Sequence, residues 1–189
     1  MARQKNIHPH LLEGETIVWT GAPCEDKDYN KVDRILLPIS LISLIVSALF
    51  AATVIFSIVR MGFVPSHIAA LLLVLLLGGF SVYSYFFRFA VKRRAKADLV
   101  YGVTSLGRVL IREEGRRKMT EFGPDQLADA SITEVDKHGV GTIYLTPKRF
   151  SNWLDNTGLD FLSMYKGRRQ ALFDVVDCKK VLKLIRAKH

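Results

Sequence analysis

The sequence predicts an α+β protein: a transmembrane helical hairpin, then a small antiparallel β domain closed by a C-terminal capping helix. Three observations carry this. Ile35 to Val59 holds no charged side chain, and a second uncharged run extends from Met61 to Phe87, densest over Ile68 to Phe87. From Leu99 the pattern changes to short β-rich segments separated by Gly-containing and charged turns. Near the end, Cys178, Val181, Leu182 and Ile185 share one helical face, while Lys179, Lys180, Lys183, Arg186 and Lys188 cover the other. The expected division is 1–34 as a cytoplasmic N-terminal segment, 35–87 as the hairpin, 88–97 as a basic juxtamembrane linker and 98–189 as the β domain.

At about 1.5 Å per helical residue, the first run crosses a hydrocarbon core of about 30 Å with length to spare, and Ile68–Phe87 just spans it. The first run follows a segment carrying Glu13, Glu15, Glu25, Asp26, Asp28 and Asp33, and it is longer than the apolar region of a signal peptide. It is therefore expected to stay in the mature protein. Ser40, Ser43, Ser47 and Ala51 form a stripe of small residues, and Gly78-Gly79 offers the second helix a matching thin spot. Neither helix has an ionisable group at mid-depth, as transport or proton relay normally requires, so the hairpin reads as an anchor.

The chain of 189 residues has a formal charge of +9, unevenly spread. Residues 1–34 carry −1, the hairpin +1 from Arg60, and 88–189 the remaining +9. Such an excess suits an anionic membrane face or an acidic partner. Nucleic acid is not expected, because the cations are scattered over turns and one helix without a groove-reading motif. Lys27, Lys31 and Arg34 precede the hairpin, and Arg88, Lys92, Arg93, Arg94 and Lys96 follow it, against Arg60 in the link. The positive-inside rule then predicts a multi-pass protein of the cell membrane with both termini cytoplasmic. Lys92, Arg93, Arg94 and Lys96 are the candidate anionic-lipid surface, placed at headgroup height; the same flank also serves as a plain stop-transfer signal. The two cysteines, Cys24 and Cys178, belong to no CxxC or Cys/His cluster and read as free thiols in a reducing compartment.

In chain order, Glu13-Gly14-Glu15 reads as a turn and Thr16 to Thr20 as a short strand ended by Gly21-Ala22-Pro23. Trp19 is expected to pack on the base of the hairpin, with a seat at the bilayer interface as the alternative. Tyr83, Tyr85, Phe86, Phe87 and Phe89 form an aromatic girdle at the end of the second helix, which should continue through Lys96. Strands are expected over Leu99–Val103, Arg108–Arg112, Lys118–Phe122, Ser131–Asp136, Thr142–Thr146, Leu159–Tyr165 and Ala171–Phe173. A long loop over 147–158 contains Phe150 and Trp153 beside Lys148 and Arg149. Asp177 is placed to cap the last helix.

Three stretches resemble the bacterial PH-like (pleckstrin-homology-like) membrane proteins, in which a transmembrane hairpin precedes a PH-like domain. LLEGETIVWTGAP is similar to the family's opening, VYGVTSLGRVLIR to its first β hairpin, and LFDVVDCKKVLKLIRA to its closing strand and helix. The family's first hairpin turn tends to be doubly basic, whereas here Leu106-Gly107 precede a single Arg108. The resemblance implies a PH-like antiparallel sandwich or barrel, and a protein partner more readily than a reaction.

No enzyme is expected. His8, His10, His67, His138 and His189 are scattered, with no nucleophile or acid in a recognisable arrangement near them. Gly139-x-Gly141 lacks the helix and lysine of a phosphate loop. No cofactor or metal is expected. The leading expectation is a protein-binding scaffold, presented at the membrane, with Phe150 and Trp153 as the candidate partner contact; the alternative for Trp153 is packing on the domain's own sheet or on the membrane surface. The alternative function is a sensor of anionic lipid or envelope state acting through basic surface residues. Arg108, Arg112 and Arg116-Arg117-Lys118 lie near where PH domains grip phosphoinositides, but at different spacing.

Overall fold

Residues 22–98, including both long apolar helices, are inserted into the β domain after its first strand. The computed structural model describes residues 11–25, 27, 29–133, 135–147, 154–160 and 170–187. Strand β1 (Ile17–Gly21) precedes helix α1 (Asp33–Met61). Helix α2 (Pro65–Val82), a π turn (Tyr83–Phe87) and α3 (Arg88–Ala97) then run on as a single helix over 65–97. Six strands and a helix follow: β2 (Leu99–Thr104), β3 (Val109–Glu113), β4 (Lys118–Phe122), β5 (Ser131–Thr133), β6 (Gly141–Tyr144), β7 (Ala171–Val175) and α4 (Cys178–Arg186).

Both long helices have the length and apolar composition to cross a membrane. Their large side chains are open to the surroundings: Val59 is 78%, Leu75 69% and Leu76 71% exposed. The helices meet along the small-residue stripe. Ser40 and Ser47 are buried, the Ser81 hydroxyl donates to Ser43 Oγ at 2.8 Å, and Gly78 faces Ser47. Small residues allow this close approach. Pro65 starts α2, where its missing N–H costs nothing.

The strands form two separate sheets rather than a closed barrel: a four-stranded sheet in the order β1-β2-β3-β4 and a three-stranded one in the order β5-β6-β7. All pairs are antiparallel. Leu99, Tyr101, Val103, Val109, Ile111 and Phe122 from the first sheet meet Ile143, Leu172, Phe173 and Val175 from the second. Tyr101 stitches the sheets together, accepting the Phe173 amide at 3.0 Å and donating to the Phe173 carbonyl at 3.4 Å. Cys178, Val181 and Ile185 bring α4 onto this core, with Leu182 half-buried at its rim. The other face of β2 and β3 is covered too: Val100 and Leu110 are buried beneath Leu11, Ile17 and Met119.

Several expectations are corrected. The N-terminal segment is no separate unit, because β1 is the edge strand of the first sheet, pairing Trp19 with Val103 and Gly21 with Tyr101. Trp19 packs on the β core, not on the hairpin base. The segment 88–97, marked off as a linker, is the continuation of the second helix expected through Lys96, and α1 begins at Asp33 rather than Ile35. Leu159 and Asp160 are not strand, and the rest of the strand expected there lies outside the described residues. Asp177 precedes α4 with φ +53°, and its carboxylate takes the Lys180 ammonium at 3.1 Å instead of capping an amide.

Candidate functional site

Arg88, Lys92 and Arg or Lys at every fourth place define one face of a helix, and here the series is Arg88, Lys92 and Lys96. That face turns inward. Arg88 is 0%, Lys92 1% and Lys96 4% exposed. Buried cations require partners, since leaving water costs each ion several kcal/mol, of order, after relaxation. Asp33, fully buried in the first turn of α1, is shared by two of them: Arg88 NH1 donates to its Oδ1 and Lys92 Nζ to its Oδ2 at 3.1 Å. Oδ2 also accepts the Asn30 amide at 2.7 Å, which fixes the entry into α1.

The third cation reaches the β domain. Lys96 Nζ lies 2.5 Å from Oδ2 of Asp174 on β7 and donates to the carbonyl of Lys27. Lys27 in turn lies 3.6 Å from Asp174 and 3.7 Å from Asp136, and donates to the Val140 carbonyl at 3.1 Å. The Cys24 amide donates to the Asp174 carbonyl at 2.8 Å. The chain leading into the hairpin and the helix leaving it are thus both fastened to β7.

The loop 154–160 completes the junction. Asn156 Nδ2 donates to Asp174 Oδ2 at 2.8 Å, and Asn30 Nδ2 donates to the Asn156 carbonyl at 2.9 Å. Tyr83 donates to the Gly158 carbonyl at 2.8 Å, and Arg88 NH1 to that of Thr157 at 3.3 Å. The Asp160 carboxylate accepts the Asn156 and Gly158 amides and holds the loop's shape. The π turn immediately before Arg88 ends with the Arg88 amide on the Tyr83 carbonyl, re-aiming the residues at this point of the helix. The Arg88 guanidinium also lies 4.3 Å from the centre of the Phe89 ring.

The structure divides the four candidate lipid-facing cations. Arg93 and Arg94 are exposed. Lys92 and Lys96 are not at the surface: their position on the Arg88 face turns them onto Asp33 and Asp174, which corrects their expected role toward headgroups. Phe150 and Trp153 lie outside the described residues. Arg108 is engaged by two carboxylates, Glu15 at 2.7 Å and Glu121 at 2.5 Å. Burial opposes ionisation of Glu15 but is outweighed by the Leu12 amide, the Thr104 hydroxyl and Arg108, which hold its pKa below the ordinary glutamate value.

Asp33, Arg88, Asp174, Asn30 and Asn156 were not expected as site residues. The spacing of Arg88, Lys92 and Lys96 was the readable signal; their counter-ions come together only through tertiary structure. Among the described residues no three His, Cys, Asp or Glu side chains gather as metal ligands. Cys24 and Cys178 are free thiols, and burial pushes the Cys178 thiol pKa up. The arrangement is suited to fixing one body on another. Comparison with known proteins finds no matching family model, curated protein or solved structure.

Proposed function

We propose that this chain is an integral protein of the cell membrane whose hairpin crosses the bilayer and holds a PH-like domain at the cytoplasmic face as a protein-binding scaffold. The observation that carries the reading is the buried ion-paired junction. An anchor alone needs only a tether, whereas the fastening of Asp33, Arg88, Lys92, Lys96 and Asp174 sets the β domain at one orientation to the helices. Fixed orientation is what a presenting platform requires. The four-stranded and three-stranded sheets closed by α4 support the PH-like reading. The exposed apolar surface of α1 and α2 supports bilayer insertion. The basic flanks support cytoplasmic termini.

Phe150 and Trp153 remain the proposed partner contact. Quantitative co-purification from native membranes in mild detergent tests this: Phe150→Ala/Trp153→Ala should deplete the protein partners, and retention of every partner sinks the contact. A reporter fused after His189 should be active only in the cytosol; activity outside overturns the orientation.

A second reading, sensing of anionic lipid or envelope state, rests on Lys31, Arg34, Arg93 and Arg94. All four are exposed near exposed Ile35, Phe86 and Phe87. Each cation near an anionic surface contributes about 1 kcal/mol. If Arg93→Gln/Arg94→Gln strips the partners while the aromatic variant keeps them, this reading takes precedence.

A further inference from the structure

His67 lies at the far end of the hairpin, in the first turn of α2, and is buried. Both ring nitrogens are occupied. Nδ1 accepts the Val64 amide at 3.1 Å, and Nε2 lies 3.0 Å from the Ser57 hydroxyl on α1. An Nδ1 that accepts carries no proton, so the ring is the neutral tautomer with its hydrogen on Nε2, directed at Ser57 Oγ. The ring therefore closes two gaps at once. It caps the start of α2 from its third position, as a Glu or Gln does in a capping box, and it ties that start to the last turns of α1. The Phe63 ring packs beside it at 5.9 Å between centroids.

We infer that His67 is a proton-responsive latch on the hairpin's turn. A proton taken from the medium must go to Nδ1, the one ring nitrogen without hydrogen. It then sets N–H against the Val64 N–H, and the cap opens. Neither the helices near the turn nor the link supplies a carboxylate to hold the imidazolium in place: no Asp or Glu occurs between Asp33 and Asp98. On α1 the neighbouring charge is Arg60, also a cation, its guanidinium 5.0 Å from the Phe56 ring centre. The link and α2 contribute no other titratable group. Opening frees Gly62 to Val64 from the start of α2, while the Nε2–H bond to Ser57 on α1 keeps its hydrogen. Which compartment's acidity is read follows from the orientation proposed above; the latch itself does not depend on it.

The test is NMR of the full ¹⁵N-labelled chain in lipid bicelles, with both ends of the hairpin open to buffer. At neutral pH the His67 ring should show hydrogen on Nε2. As the pH is lowered, the exchange protection factor of the Val64 amide should fall about tenfold or more, as expected for loss of one hydrogen bond. In His67→Gln the side-chain oxygen replaces Nδ1 as acceptor, and protection should become independent of pH. His67→Ala should show low protection throughout. Hydrogen on Nδ1 at neutral pH, or wild-type Val64 protection unchanged on acidification, overturns the latch. A reporter that places the C-terminus outside overturns the orientation alone.

Discussion

Gly158 lies against the backbone of Arg88 so closely that a β-carbon on it would collide with the Arg88 carbonyl. Its φ of +82° also favours glycine. Gly139 has a similar φ of +77° but open space around its would-be β-carbon. The two positions separate backbone strain from collision. Gly139→Ala should cost about 1–2 kcal/mol from strain, and Gly158→Ala distinctly more, by thermal melting of the full chain in detergent. Equal losses would show that the loop does not bear on the helix.

Asp33→Asn should leave two buried cations undercompensated and cost about 3–5 kcal/mol. Replacing Asp33, Arg88 and Lys92 together by Leu, Met and Met should recover much of that loss, because apolar groups of similar volume need no partners. Melting of the single and triple variants in the same detergent checks this. A triple variant no more stable than Asp33→Asn would mean that the ions are required for something other than mutual compensation.

The closing helix offers a graded pair. Ile185 is fully buried and Leu182 half-buried. Ile185→Ala should cost about 2–5 kcal/mol and Leu182→Ala less, as read by urea unfolding of the β domain followed through its tryptophan fluorescence. The reverse order would place α4 in another rotation about its axis.

Glu15 has a pH signature. Its folded pKa is depressed, so its contribution is complete above the ordinary glutamate value of about 4.3 and is lost as pH falls through the lower folded value. Glu15→Gln removes that dependence. Melting temperatures of wild type and variant should differ at neutral pH and converge in the acid limb. A constant gap across the acid range would mean that Glu15 stabilises by shape and not by charge.

The hairpin was readable because lipid-length apolar runs need no tertiary knowledge, although α1 extends beyond the uncharged run at both ends, from Asp33 to Met61, and the second helix starts at Pro65. Strands β2 to β4 were readable from alternation and turn residues, within a residue at each end. Two things were not. A strand such as β1 carries no mark of its partner, so its pairing with β2 across the whole hairpin could not be inferred from position. A cation after an apolar helix looks the same whether it faces headgroups or a buried carboxylate; Lys92 and Arg93 differ by the 100° of one helical step, and the Asp33 that decides between them lies on the other helix.

On the membrane-spanning reading proposed above, the place of the hairpin between β1 and β2 makes assembly of the domain a check on insertion. During synthesis β1 emerges first and has no strand to pair with until residues 22–98 have been placed. For a hairpin in a bilayer, β1 and β2 meet only if both helices cross and bring the chain back to its starting side. A half-inserted chain strands β1 and β2 in different compartments, leaving the β2 edge and the seat of Trp19 open to quality-control proteases. For a chain that crosses the bilayer twice, as proposed, domain folding and correct topology thus become one event, and a complete first sheet reports that both helices have crossed.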